Sequence, residues 1–156
     1  MITHQHSRKQ TRAFTLIELL IVIVVIAILA TIVIPRLMGA TRRSREANFI
    51  ANLNHVRYAV ERFQADTGMF PLVLRDIAAL DFQSLVTPVP VGTFRGAYIS
   101  TEGGITGNGL PLNPFVDPSD TNDADHWKYD TATGKVTAPD ALANIPLTDG
   151  RTLGQL

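Results

Sequence analysis

The chain has 156 residues, enough for one domain with a modest core, and 46% of them are hydrophobic, too many for a disordered protein. The formal charge is zero, which by itself points neither to nucleic acid nor to an acidic partner. With no cysteine, disulfides, thiolate metal sites, iron–sulfur clusters and thiol catalysis are all excluded.

The chain opens on a basic stretch, Arg8-Lys9-Gln10-Thr11-Arg12, that runs through the small residue Ala13 into Phe14–Ile34, 21 residues that are apolar except for two threonines and Glu18. As a helix this run is about 31 Å long, the thickness of a bilayer's hydrocarbon core. Its β-branched content raises a buried strand as the alternative, but the run is several times longer than ordinary strands. A secretory signal places its cleavage site after the apolar stretch. Here the small residue comes before it, so a cut at Ala13 leaves the membrane helix on the mature protein. Basic residues flank the run on both sides and do not orient it.

Glu18 is the one ionisable residue in the run. A carboxylate in hydrocarbon costs about 2.5–3.5 kcal/mol on insertion scales, so it marks either a position wetted at the membrane edge or a functional group awaiting a partner.

The segment Arg12-Ala13-Phe14-Thr15-Leu16-Ile17-Glu18-Leu19-Leu20-Ile21-Val22 resembles the cleavage signal of type IV prepilins and type II secretion pseudopilins. The resemblance implies that residues 1–13 form a leader removed by a prepilin peptidase, which cuts between Ala13 and Phe14 and methylates the new amine. It also makes Glu18 the assembly glutamate, neutralising the Phe14 amine of a neighbouring subunit where opposite charges in low dielectric attract strongly. Ala13 departs from the family's usual glycine. Pro35 ends or kinks a helix on its own chemistry, and it matches a family proline that marks a bend or a stretch that melts on assembly.

Residues 36–66 are expected to continue as an amphipathic stalk, because Ile50, Leu53, Val56, Val60 and Phe63 recur at helical spacing, opposite Arg45, Asn48, Asn52, Arg62 and Asp66. Gly68 and Pro71 stop it, Gly68 as a C-terminal cap. Thr67-Gly68-Met69-Phe70-Pro71 resembles the Gly-x-Tyr-Pro turn of major pseudopilins, with Phe70 in the tyrosine's place. A short helix is expected over about 73–81. Glycines and prolines then divide the rest into loops and short strands, with a strand at Phe94–Ile99 and a hairpin over Trp127–Val136. The fold class is therefore α+β: a long N-terminal helix packed on an antiparallel sheet of three or more strands, with residues 67–156 as a globular head.

Charge is polarised along the chain. Between Arg36 and Arg75 seven Arg face Glu46, Glu61 and Asp66, a net of +4; from Ser100 onward two Lys and one Arg face Glu102 and seven Asp, a net of −5. A basic neck lying against a neighbour's acidic head follows, with Arg42 and Arg43 as the residues to reverse. Asp117, Asp120, Asp123 and Asp125 offer oxygen ligands for calcium, and a solvated polar loop is the competing reading. His55 and His126 stand at no metal-ligand spacing and read as surface or interface residues.

No phosphate-binding loop or nucleophile motif occurs, so a structural subunit is expected rather than an enzyme. The partners implied by the resemblance are further copies of the chain, the prepilin peptidase, an inner-membrane assembly platform with minor pilins, and the membrane. They place the chain as a single-pass inner-membrane protein with its head in the periplasm or outside. The Gly-Met-Phe-Pro turn and the lack of a C-terminal cysteine pair lean towards a type II secretion pseudopilin rather than a type IV pilus pilin, and the absence of the Asp-rich calcium motif that some major pseudopilins carry near the C-terminus leans away from it. No nucleic acid partner is expected. The alternative is a DNA-uptake or adhesion pilin that binds through its basic surface, with salt-sensitive binding as its sign.

Overall fold

A computed structural model describes residues 14–99, 109–120 and 122–156. The chain divides into two units, Met1–Ala40 and Thr41–Leu156. Helix α1, Leu16–Thr67, contributes to both.

In the first unit the helix carries the apolar run. Hydrocarbon offers no hydrogen bonds, so a spanning segment must satisfy its own backbone, and the helical ladder does this despite the β-branched residues. The ladder is assigned without interruption through Pro35, so the proline does not end the helix. Lacking an N–H, it leaves the carbonyl of Thr31 without its usual donor four residues on.

In the second unit α1 buries Glu46, Phe49, Leu53, Val56, Ala59, Val60, Phe63 and Thr67, a stripe at spacings of three and four. The expected face is present but rotated slightly, with Phe49 fully buried and Ile50 packed at the margin. Phe49 stacks on Trp127 with ring centroids 5.5 Å apart and meets Phe115 edge-on at 5.9 Å. Full burial of such a ring contributes roughly 1.5–3 kcal/mol. Gly68 takes φ 80°, and its N–H reaches the Gln64 carbonyl at 2.8 Å. That left-handed cap closes the helix where the sequence places its stop.

Beyond the cap, the short helix is a 3-10 turn, Leu74–Ala78, followed by a second at Phe82–Ser84. Helix α2 is a single turn, Asp123–His126, and leads into β1, Lys128–Tyr129, which pairs antiparallel with β2, Val136–Thr137. Lys128 faces Thr137 and Tyr129 faces Val136. The turn between them is held by Asp130, which accepts from Ala132 N–H at 2.9 Å and the Thr133 hydroxyl at 2.7 Å.

The sheet is smaller than expected, with two strands among the described residues. Three side chains explain the shortfall. The outward carbonyl of Val136, which another strand would use, accepts from Arg57 Nε at 3.0 Å and Nη2 at 2.8 Å. Residues 94–99, expected as a strand, instead fold around Gly96 at φ 99°. There Phe94 and Tyr98 set their rings edge-on to Phe63 at 6.3 and 5.6 Å, and the Tyr98 N–H bonds the Ile77 carbonyl at 2.8 Å.

Candidate assembly site

Cleavage at Ala13 falls on a residue outside the described ones, whereas Phe14 lies just before α1 and is exposed. Thr15 is the residue preceding the helix, and Glu18 occupies its third position. The Thr15 N–H and hydroxyl donate to Glu18 Oε2 at 3.0 and 2.9 Å, and the Glu18 N–H donates to Thr15 Oγ1 at 3.3 Å. This is a reciprocal capping box, in which the carboxylate also complements the positive end of the helix dipole. Glu18 therefore has a polar partner within its own chain. The sequence carries the signal for Thr15, a threonine three residues before a glutamate at the head of an apolar run.

From Leu16 to Met38 every large apolar side chain is exposed, mostly by half or more. The stretch is long and apolar enough to cross a membrane, by length and composition. Such a surface is not left in water: it requires lipid or other apolar helices around it.

The neck differs from expectation at one residue. Arg42 directs Nε to Glu46 Oε1 at 3.2 Å and Nη2 to the Pro146 carbonyl at 2.6 Å. Its guanidinium is engaged within the chain, so reversing it would disturb contacts of the head as well as any with a neighbour. Arg43 and Arg45 are exposed. Glu46, in turn, is buried and accepts from the Thr148 hydroxyl at 2.6 Å and N–H at 3.1 Å. The hydroxyl bond, with help from the N–H and Arg42, outweighs burial and holds the carboxyl below the ordinary glutamate range.

The aspartates between 117 and 125 serve local turns. Asp117 Oδ1 accepts from Ser119 N–H at 2.8 Å and hydroxyl at 2.7 Å, Asp120 Oδ1 from Asn122 N–H at 2.9 Å, and Asp125 Oδ2 from Asn122 Nδ2 at 2.5 Å. The side chain of Asp123 falls outside the described residues. Among the described residues no three acidic, histidine or cysteine side chains gather to hold a metal ion.

His55 is exposed as expected, but His126 is fully buried. Its Nδ1 accepts the Asn113 N–H at 3.2 Å, Asn113 Nδ2 donates to its carbonyl at 3.0 Å, and its Nε2 reaches the Asp120 carbonyl at 2.9 Å. Taking up the backbone groups of Asn113 and Asp120 is what makes its burial tolerable, and no local pattern announces such partners.

Residues 8–34 match the prokaryotic N-terminal methylation motif. The chain is 26% identical over 129 residues to the type II secretion system core protein G of Pectobacterium carotovorum subsp. carotovorum, covering 82% of this chain and 78% of that one. It is 25% identical over 138 residues to core protein G of Escherichia coli K12, covering 85% and 90% of the two chains. It is 26% identical over 111 residues to core protein G of Aeromonas hydrophila, covering 71% and 72%. No solved structure matches the chain significantly.

A long helix that begins within that motif, with a small antiparallel sheet later in the chain, is consistent with an α+β, pilin-like fold. Over most of its length the chain is homologous to type II secretion system core protein G.

Proposed function

We propose that the chain is the major, structural subunit of a type II secretion pseudopilus. The observation that carries this reading is the exposed apolar helix behind a matched methylation motif, in a chain whose homology extends through the head. A prepilin peptidase removes residues 1–13 and methylates Phe14. Until assembly, the helix holds the subunit in the inner membrane with its head in the periplasm. During assembly the apolar helices of successive copies cover one another, and Glu18 exchanges its Thr15 contacts for the Phe14 amine of a neighbour. An assembly platform and minor pilins start and drive the process.

Burial of apolar surface supplies the driving force, and the charge pair sets the register. Exposed Arg43 and Arg45 add basic surface at the neck for a neighbour's acidic head. No cofactor and no catalytic step is invoked; calcium binding seen by calorimetry would require the acidic loop to be reassigned.

The test is mass spectrometry of the protein from a host with an active peptidase, together with imaging of filaments. The expected result is a chain that begins at methylated Phe14, forms filaments and stops forming them when Glu18→Gln is introduced. A chain in filaments that still begins at Met1, or filaments unaffected by Glu18→Gln, would remove the reading.

A further inference from the structure

We propose that a second contact drives polymerisation: the loop around Leu80–Val86 of one copy docks on the exposed Tyr58–Arg62 face of α1 in a second copy. This rests on the filament reading above and adds the head's own share of the interface.

Among the described residues of the second unit, exposed large apolar side chains occur in two places. One is Tyr58; the other is the single segment 72–91, which exposes Leu72, Leu80, Phe82, Val86 and Val91. Leu80 is 77% exposed and Val91 91%. These side chains lie in one segment of the second unit, and an exposed apolar stretch of this kind marks an interaction surface rather than chance exposure.

The loop is held in this position. Its base is clamped by the buried Asp76 carboxylate, which accepts the N–H groups of Val86 and Thr87 at 3.0 and 2.9 Å. Its tip is fixed by Asp81 Oδ1, which accepts the Ser84 N–H and hydroxyl, both at 2.8 Å. A loop tied at base and tip loses little freedom on binding, so its apolar side chains are presented at low entropic cost.

The charges identify the occupant. Asp81 stands between Leu80 and Phe82 with its residue exposed, and Arg62 stands beside Tyr58, its guanidinium carbon 6.0 Å from the ring centroid. One patch is apolar with an acid at its centre and the other is aromatic with a cation at its edge. They are complementary in both hydrophobicity and sign. Because they are different patches of the same chain, their pairing is heterologous: each docked copy still offers a free patch at either end, and the contact propagates into a filament when it does not close into a ring.

The natural chain has no cysteine, so the full-length precursor carrying Tyr58→Cys and Phe82→Cys can be oxidised after assembly in a peptidase-positive host. A ladder of dimers, trimers and higher species is expected from the double variant, and no ladder from either single one. Asp81→Arg or Arg62→Asp alone should reduce recovered polymer by about fivefold, and the two together should restore it to within about twofold, the coupling expected of a direct contact. Because Asp81 also caps the turn at Ser84, Phe82→Ala and Tyr58→Ala give a second pair that keeps the cap, and each should lower polymer yield. Filaments that form normally but show no ladder and no coupling between the charge swaps would overturn this contact while leaving the filament reading intact, and so would a loop that binds lipid instead. A natural chain that forms no filament at all would overturn both.

Discussion

Asp76 and Thr87 are joined twice through one buried carboxylate. Oδ2 of Asp76 accepts both the N–H of Thr87, at 2.9 Å, and its hydroxyl, while the same hydroxyl oxygen receives the N–H of Leu72 at 2.6 Å. The first 3-10 turn, the chain that follows Pro71 and the chain that precedes Pro88 thus meet at a single acid that is 1% exposed. Replacing Asp76 with Ala strands the buried N–H and hydroxyl of Thr87 and the part-buried N–H of Val86, and should cost about 3 kcal/mol of head stability. Asp76→Asn keeps one acceptor and should cost less. Denaturant unfolding followed by the fluorescence of the single tryptophan, Trp127, checks both, because that side chain is fully buried.

Gly134 and Phe70 form a second such pair. Gly134 closes the β1–β2 turn at φ 71°, and a Cβ there would overlap the Phe70 ring. Gly134→Ala therefore combines backbone strain with a steric conflict, and should destabilise the head by about 2 kcal/mol. Phe70→Leu made in the same chain removes the overlap but not the strain, so the double variant should recover part of the loss. Strict additivity in a double-mutant cycle would show that the two residues do not compete for space.

What was legible in the sequence was local. The apolar run, the stop at Gly68 and the hairpin after Trp127 follow from periodicity and turn chemistry within a few residues of each other. What was not legible depended on partners far along the chain. Glu46 and Thr148 are 102 residues apart, Arg57 and Val136 are 79, and nothing near either end of those pairs names the other. The strand expected at 94–99 failed because alternation cannot tell a ladder from a segment whose aromatic rings are called inward by Phe63. His126 was misplaced because a buried histidine is recognised by the backbone groups it satisfies, not by its neighbours in sequence. Thr15 is legible in the sequence, because a threonine three residues before a glutamate at the start of an apolar run is the capping-box pattern.

The Glu46–Thr148 contact makes the stability of the head depend on pH. A carboxyl held below its ordinary range when folded contributes stability above its unfolded value, and that contribution disappears as pH falls through the folded value. The head should therefore unfold more readily as acid is added below the ordinary glutamate range. Thr148→Val removes the hydroxyl, the main cause of the shift, and should flatten that acid dependence while lowering stability at neutral pH. Melting curves of the two proteins across the acid range make the comparison. Parallel curves would mean that other carboxylates, such as Asp130 and Asp149, whose folded values are also lowered, account for the slope.

Thr15 controls the first turn of α1 and, through it, the state in which Glu18 waits. With both donors of Thr15 on Oε2, the glutamate is oriented toward the helix start and the first-turn N–H groups are shielded. Thr15→Ala removes the cap and one of the two donors, and should loosen the first turn by about 1 kcal/mol, whereas Thr15→Ser keeps the geometry and should cost a few tenths. Amide exchange at Leu16–Leu19 in detergent micelles measures this directly, and faster exchange is expected for the alanine variant alone. The same variants separate capping from assembly. If Glu18 must leave Thr15 to meet a neighbour's amine, loss of the cap lowers the cost of leaving but also surrenders the orientation of the carboxylate. Filament yield that falls with Thr15→Ala and returns with Thr15→Ser would show that orientation is the larger of the two effects; yield that rises with Thr15→Ala would show that the cap is a brake.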